Sequence, residues 1–272
     1  MVAAPVLWST AGVVTRHIER AGALEQVFWR SLFAFLFVFL VLILKTNPLK
    51  AVRGAGWPGL VSGLMWAVMF TAFVVALSMT TTANTLVVMS ISPFLTVVLA
   101  RLLLSDPVPA RTWIAAGAAA VGIAWMFASS LEKHFAGMAV AFVIPVAAAI
   151  NVVVLRASAA KFDLVPAVML GGAISCVLVV PFAGFSATPR DLALLAFLGF
   201  FQLGLPCMLL VIASRTLPAP EIALLGLLEV VLGPLWAWLG AGEAPTAATL
   251  AGGAVVLAAL ALNELGGLRR AA

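Results

Sequence analysis

The chain has 272 residues, of which 64% are hydrophobic and only 9% charged, against roughly 25% charged in an ordinary soluble domain. So few charges cannot clothe a soluble fold, and so apolar a composition excludes disorder. The net charge of +5 comes from scattered Lys and Arg of the kind that flank membrane helices, so nucleic acid is not an expected partner.

A bilayer core about 30 Å thick needs ~20 apolar residues per helix. Apolar runs between charged or Gly/Pro punctuation predict about ten spans, at 2–15, 26–44, 57–78, 83–103, 112–128, 135–155, 164–182, 191–213, 220–239 and 246–264. Because the runs are continuously apolar, a transmembrane β-barrel with alternating strands is excluded. No cleavable signal peptide is expected, since the first run reaches Thr15 and Arg16 without a cleavage site. Cys176 and Cys207 lie inside apolar runs, so a disulfide between them is not expected. The expected fold is an all-α polytopic membrane protein.

Loops after even-numbered spans carry Lys45, Lys50, Arg53, Arg111, Arg156, Lys161 and Arg215, and the tail carries Arg269 and Arg270. Loops after odd-numbered spans carry Arg16, Arg20, Lys133 and Arg190, with Arg30 at the start of span 2. This bias places both termini in the cytoplasm of a multi-pass cell-membrane protein, with the bacterial inner membrane as the expected location.

The chain also resembles itself. Pro5–Arg16 (PVLWSTAGVVTR) aligns with Pro145–Arg156 (PVAAAINVVVLR), matching Pro5, Val6, Val13, Val14 and Arg16. Later, Asp106 and Glu243 each close an apolar run before a short turn, 243 − 106 = 137 residues apart. At that displacement Ala76 meets Ala213, Leu95 meets Leu232, Ala100 meets Ala237 and Thr112 meets Thr249. The repeat unit holds five spans. Five is odd, so the second copy enters the membrane from the opposite side, giving two inverted five-helix repeats at 1–130 and 131–272. Such symmetry is a signature of secondary transporters. The short first span then implies a start upstream of Met1.

Glu229 lies near the midplane of span 9, where a charge costs on the order of 2.5–3.5 kcal/mol. It is a candidate to bind a substrate ammonium or a proton, with a neutral structural acid as the alternative. Asn151 and Gln202 are the other strongly polar groups at depth. They suit a zwitterion or an interhelical hydrogen bond. Ser9 and Thr10 of span 1 either line a cavity or bond back to their own helix. Trp8 and Trp66 are candidate cavity walls, while Trp29, Trp57 and Trp113 read as an interfacial belt. Pro93, Pro145, Pro206 and Pro234 interrupt spans 4, 6, 8 and 9. Pro93 and Pro234 are the candidate gating hinges. Arg30 and Arg101 are expected to snorkel from span ends. Gly59 and Gly63, with the Ala/Gly-rich spans 5 and 10, read as packing surfaces and alternatively as a dimer interface. Asp106, Asp163 and Asp191 look isolated at span ends. No metal site is expected, since His17 and His134 stand in loops without further ligands.

Several of these residues resemble the drug/metabolite transporter superfamily and, within it, the EamA family. They are Leu7-Trp8-Ser9-Thr10, Arg30-Ser31-Leu32, Ala76-Leu77, Pro93, Leu102-Leu103-Leu104-Ser105-Asp106, Leu228-Glu229 and Gly242-Glu243. The likeness covers essentially the whole chain. It departs where Asp106 stands for the usual Glu and where Pro234 sits one helical turn from the position matching Pro93. The resemblance implies a ten-helix exporter of small metabolites, with its cavity formed by spans 1–4 and 6–9. A narrower likeness to aromatic amino-acid exporters of the YddG type rests on Val6-Leu7-Trp8-Ser9-Thr10.

The expected function is export of amino acids, aromatic ones among them, or of related metabolites, by alternating access. The alternative within the superfamily is export of other metabolites or drugs. A membrane-embedded enzyme is disfavoured by the lack of HExxH, a clustered Asp motif or GxSxG. A channel is disfavoured by the lack of a pore loop or charged ring. The expected partners are a small-molecule substrate and the lipid bilayer, with no cofactor. A monomer is expected, and a homodimer is the alternative.

Overall fold

In lipid no water satisfies exposed N–H and C=O groups, so a chain this apolar must bond its backbone within each segment. The computed structural model, which describes residues 1–80, 82–104, 108–126, 135–241 and 247–271, is all-helical among those residues. Span 1 is two short helices, α1 (Ala3–Trp8) and α2 (Ala11–Thr15), followed by the unbroken α3 (Ala23–Lys45) as span 2. The helix α4 (Pro48–Met79) starts as an interfacial segment capped by Asn47, whose side chain accepts from the N–H of Leu49 and Lys50. It then bends at Gly56, whose φ of 57° is open to glycine and strained for other residues. Span 3 proper therefore starts at Trp57.

Span 4 is α5 (Thr82–Met89) and α6 (Ser92–Leu103), and span 5 is α7 (Ala110–Met126). The second half opens with α8 (Phe135–Ser158) and α9 (Val165–Val179), the latter extended by a 3₁₀ turn at Val180–Phe182. Span 8 runs through α10 (Pro189–Phe197), a π-helical segment at Leu198–Gly204 and α11 (Leu205–Ala213). Span 9 is α12 (Ala219–Gly226) and α13 (Leu228–Ala241), and span 10 is α14 (Ala247–Ala271). Five of these helical stretches are long and apolar enough to cross a membrane. Shorter apolar helices fill the remaining places in the order. Outward faces carry bare Leu40, Leu44, Ile114, Val121, Phe182, Leu257 and Leu262, as expected of a surface solvated by acyl chains. The repeat markers Asp106 and Glu243, and His134, lie outside the described residues.

The two halves interdigitate. Span 3 packs on spans 7 and 6, and its repeat mate, span 8, packs on spans 2 and 1. Span 4 packs on span 6, and its mate, span 9, packs on span 1. Spans 2 and 7, 4 and 9, and 5 and 10 pair with their own mates. Every principal cross-half contact therefore has its mirror. Directions follow from the registers. In spans 2 and 7, Gly172 faces Ser31 and Phe35 while Cys176 reaches the Phe28 carbonyl, so the mates run antiparallel. In spans 5 and 10, Thr112 bonds Asn263 while Gly122 faces Gly252, again antiparallel. Spans 3 and 7 run parallel, with Gly56 at Phe162, Gly63 at Leu170 and Trp66 at Gly171. Antiparallel mates are what an in-plane two-fold axis requires. The breaks of spans 4 and 9 obey the same symmetry, since Ser90 and Leu227 are separated by 227 − 90 = 137 residues, whereas the break of span 1 has no counterpart in the continuous α8.

Lipid tails are as apolar as leucine, so helix association rests on close packing. Glycine makes this possible at the crossings. A Cβ on Gly171 would sit 2.5 Å from the Trp66 Cβ and 3.1 Å from the Gly63 carbonyl. The Ala-rich face of span 5 is used inside the chain, where Ala115, Ala116 and Ala119 bury against Val256, Ala259 and Leu260 of span 10. Gly171→Ala should therefore lower the thermal midpoint in detergent, by a destabilisation of about 1–3 kcal/mol. Gly117→Ala, where a Cβ meets nothing within 4 Å, should be neutral or stabilising by up to ~1 kcal/mol. Equal midpoint shifts for the two variants would contradict this account of the crossing.

Candidate functional site

Among the described residues four spans depart from regular α-helix in mid-course, and they do so around one place. Span 1 turns at Ser9-Thr10, span 4 at Ser90-Ile91 and span 9 at Leu227, while span 8 widens into its π segment. Beside each departure lies a residue lining a cavity of about 170 Å³, namely Trp8, Ser92, Gly226 and Gln202. Irregular backbone at membrane depth is tolerated where it is buried in protein or borders a polar space. At ~10–15 Å³ per water-sized group, the cavity holds on the order of ten non-hydrogen atoms.

The walls are mostly apolar and aromatic. Trp8, Trp66, Phe70 and Phe73 supply rings, with Met69 and Met89 between them. Polar groups are few. Glu229 is the second residue of α13, so its carboxylate sits at the N-terminal end of a half-helix inside the membrane. The dipole of that end favours a negative charge. Asn151 accepts a 2.6 Å hydrogen bond from the Ser62 hydroxyl of span 3. Gln202 takes a 2.8 Å hydrogen bond from Arg30 Nη2 through its side-chain oxygen and donates to the Trp8 carbonyl at 3.4 Å.

The π segment has an identifiable cause. Pro206 brings no N–H to the Gln202 carbonyl four residues earlier, and its ring would crowd that oxygen in an α-helix. The chain widens instead, with the Leu205 N–H reaching the Phe200 carbonyl. This swings Gln202 toward Arg30. Gly199 completes the approach, because a Cβ there would fall 2.3 Å from the Phe33 Cβ and 2.8 Å from the Arg30 carbonyl.

Of the residues singled out from sequence, Trp8, Trp66, Asn151, Gln202 and Glu229 share this cavity. Ser9 and Thr10 lie beside it in the span 1 break. Their hydroxyls donate to the Val6 and Leu7 carbonyls, both at 2.7 Å, and Ser9 also accepts from the Trp236 indole at 2.7 Å. Pro93 stands buried in the first turn of α6, just past the Ser90-Ile91 break. Pro234 lies within α13, and its side chain lies outside the described residues.

Two sequence readings are corrected. Arg30 does not snorkel. It is 4% exposed, and α3 starts early enough that Arg30 lies two turns inside it, facing the cavity. The local pattern contained a signal, since Glu25 and Gln26 precede it within the same helix and already hold the boundary. Asp163, which accepts from Arg215 at 2.8 Å and from the Val165 N–H at 3.0 Å, is not isolated, and neither is Asp191. It closes a capping box with Thr188 and accepts the N–H groups of Glu19 and Arg20 at 2.9 and 3.2 Å. Its counterpart Glu25 accepts from the N–H groups of Ser186 and Ala187 at 2.9 and 2.8 Å. With the Arg190–Glu19 ion pair at 2.8 Å, these bonds lace the loop after span 1 to the loop after span 7. On the opposite side, Arg156 donates to the Arg215 carbonyl at 3.1 Å, and Arg215 pairs with Asp163 at 2.8 Å. The halves are joined on that side too, where Arg111 donates to the Gly266 carbonyl at 2.6 Å. Among the described residues no group of three His, Cys, Asp or Glu side chains is arranged to hold a metal ion.

A sequence model of the EamA-like transporter family matches residues 1–128 and again 135–265. No curated protein matches the chain. The crystal structure of another protein superposes with a TM-score of 0.85, covering 99% of this chain and 96% of that one at 17% identity, a likeness of fold.

Pro206→Ala should let the helix close its bond to the Gln202 carbonyl and turn Gln202 away from Arg30. The variant is expected to be at least as heat-stable as the parent. It should lose most of the thermal shift that a bound solute induces, and an unchanged shift would remove the π segment from the site's construction.

Proposed function

The chain belongs to the EamA-like transporter family, and from that premise we propose that it exports amino acids, aromatic ones among them, by alternating access. As a family member it is a multi-pass membrane transporter of the drug/metabolite superfamily. The observation that carries the finer reading is the pairing of one acid, Glu229, with the rings of Trp8, Trp66, Phe70 and Phe73 in a single cavity. An ammonium at Glu229 leaves an apolar side chain against the rings, and cation–π contact with Trp8 or Trp66 adds to that attraction. Asn151 and Gln202 supply the remaining polar contacts. Ser9 and Thr10 are assigned to this site through the span 1 break that they form. The proposed location is a bacterial inner membrane with both termini in the cytoplasm, as the Lys/Arg bias supports.

The repeats 1–130 and 131–272 interleave span by span, so the proposed motion shifts their cross-packed spans against one another, with Pro93 and Pro234 at the hinges. The break before Pro93 supports that role, because the Met89 carbonyl lacks the N–H that a residue other than proline would bring to it. Bonds from Glu25 and Asp191 join the two halves across the odd-loop face and must break for that face to open.

Glu229→Gln should weaken uptake of an amino acid by inside-out vesicles about 10–100-fold, the worth of a charge-assisted hydrogen bond of ~1.5–3 kcal/mol. Unaltered flux would remove Glu229 from the binding site. In a Cys176→Ala background, Asp191→Ala should raise labelling of the cavity-lining Cys207 by an impermeant maleimide applied from the odd-loop side. Unchanged labelling from that side would remove the lacing from the gate.

A further inference from the structure

Among the described residues, the charge of Arg30 in this cavity has no counterion in contact. Arg30 has five N–H donors, of which one is spent, on the neutral oxygen of Gln202 at 2.8 Å. Its Nε is buried with no hydrogen-bond partner. Glu229 lines the same cavity, yet the two make no ion pair. A second donor is in the same condition, since the indole Nε1 of Trp66 is buried without an acceptor and Trp66 lines the cavity too. Buried donors that lack acceptors are expensive, and a guanidinium far more so than an indole.

We propose that Arg30 and the Trp66 indole form a carboxylate-binding subsite, in which the guanidinium and the indole N–H donate to the two oxygens of a substrate carboxylate. The planar fork of arginine matches a carboxylate through two parallel hydrogen bonds. Gln202 is a positioning residue. It holds the guanidinium in place while the subsite is empty, and the π segment that carries it supplies slack for it to shift when the carboxylate arrives. The subsite rests on the amino-acid reading and deepens it. Glu229 takes the ammonium, Arg30 takes the carboxylate, and the side chain lies against the rings.

The test is equilibrium binding to the purified full chain in nanodiscs with four probes: phenylalanine, phenylalanine amide, 3-phenylpropionate and 2-phenylethylamine. The parent protein should bind phenylalanine at least 10-fold more tightly than its amide. Arg30→Gln should erase that preference and weaken 3-phenylpropionate about 10-fold or more, while 2-phenylethylamine, which carries no carboxylate, is not weakened. Trp66→Phe, which keeps a ring and removes the N–H, should weaken 3-phenylpropionate several-fold. If Arg30→Gln does not fold, the acid-to-amide comparison on the parent and the Trp66→Phe result decide.

Equal binding of acid and amide by the parent overturns the subsite, as does 3-phenylpropionate binding that ignores both substitutions. The two readings fail separately. Phenylalanine transported with no dependence on Arg30 overturns the subsite and leaves the amino-acid reading standing. Arg30-dependent binding of 3-phenylpropionate without binding of phenylalanine supports the subsite and overturns the amino-acid reading.

Discussion

Hydrocarbon cannot hydrogen-bond, and most of this molecule follows from that. Each apolar run closes its backbone bonds within itself, so the chain is a set of helices. Where a helix breaks, the freed groups need a polar space or a neighbour. The breaks at Ser9-Thr10, Ser90-Ile91 and Leu227, with the π segment at Leu198–Gly204, accordingly gather around one cavity. Charges obey the same rule. Glu229 sits at the N-terminal end of a half-helix, Arg30 leans on Gln202, and the carboxylates of Glu25 and Asp191 are satisfied by loop N–H groups.

The second constraint is contact without a hydrophobic drive between helices. Glycines at 63, 171, 172 and 199 bring backbones of opposite halves together, and it is these approaches that place Trp66 beside span 7 and Arg30 within reach of Gln202. Because cross-half contacts come in mirrored pairs, a shift that loosens one set at one face has a counterpart at the other. Such pairing is what inverted repeats of secondary transporters show. Hydrogen bonds join the halves at both faces, to Glu25 and Asp191 at the odd-loop face and from Arg111 to Gly266 at the other.

Much of the fold could be read along the chain, because span length and apolar continuity are set by bilayer thickness and need no tertiary information. The start of span 3 at Trp57, after the glycine bend, and the ten-span order follow from composition alone. Arg30 was legible as a charge and illegible as a site, since its meaning depends on where α3 begins and on a residue 172 positions away. Ser9 and Thr10 were visible as polar groups in an apolar helix, whereas the choice of Val6 and Leu7 as their acceptors belongs to the local break.

By itself the sequence determined that the chain lives in lipid, that it is helical, and that one five-span unit occurs twice. These properties are sums over many residues, and a single misplaced side chain does not change them. Only the tertiary structure decided which polar groups meet. Partnerships such as Arg30 with Gln202, Asn151 with Ser62 and Asp191 with Glu19 join residues far apart in the chain. Their geometry is fixed by helix registers that depend on close packing at glycines, and no local pattern encodes that register.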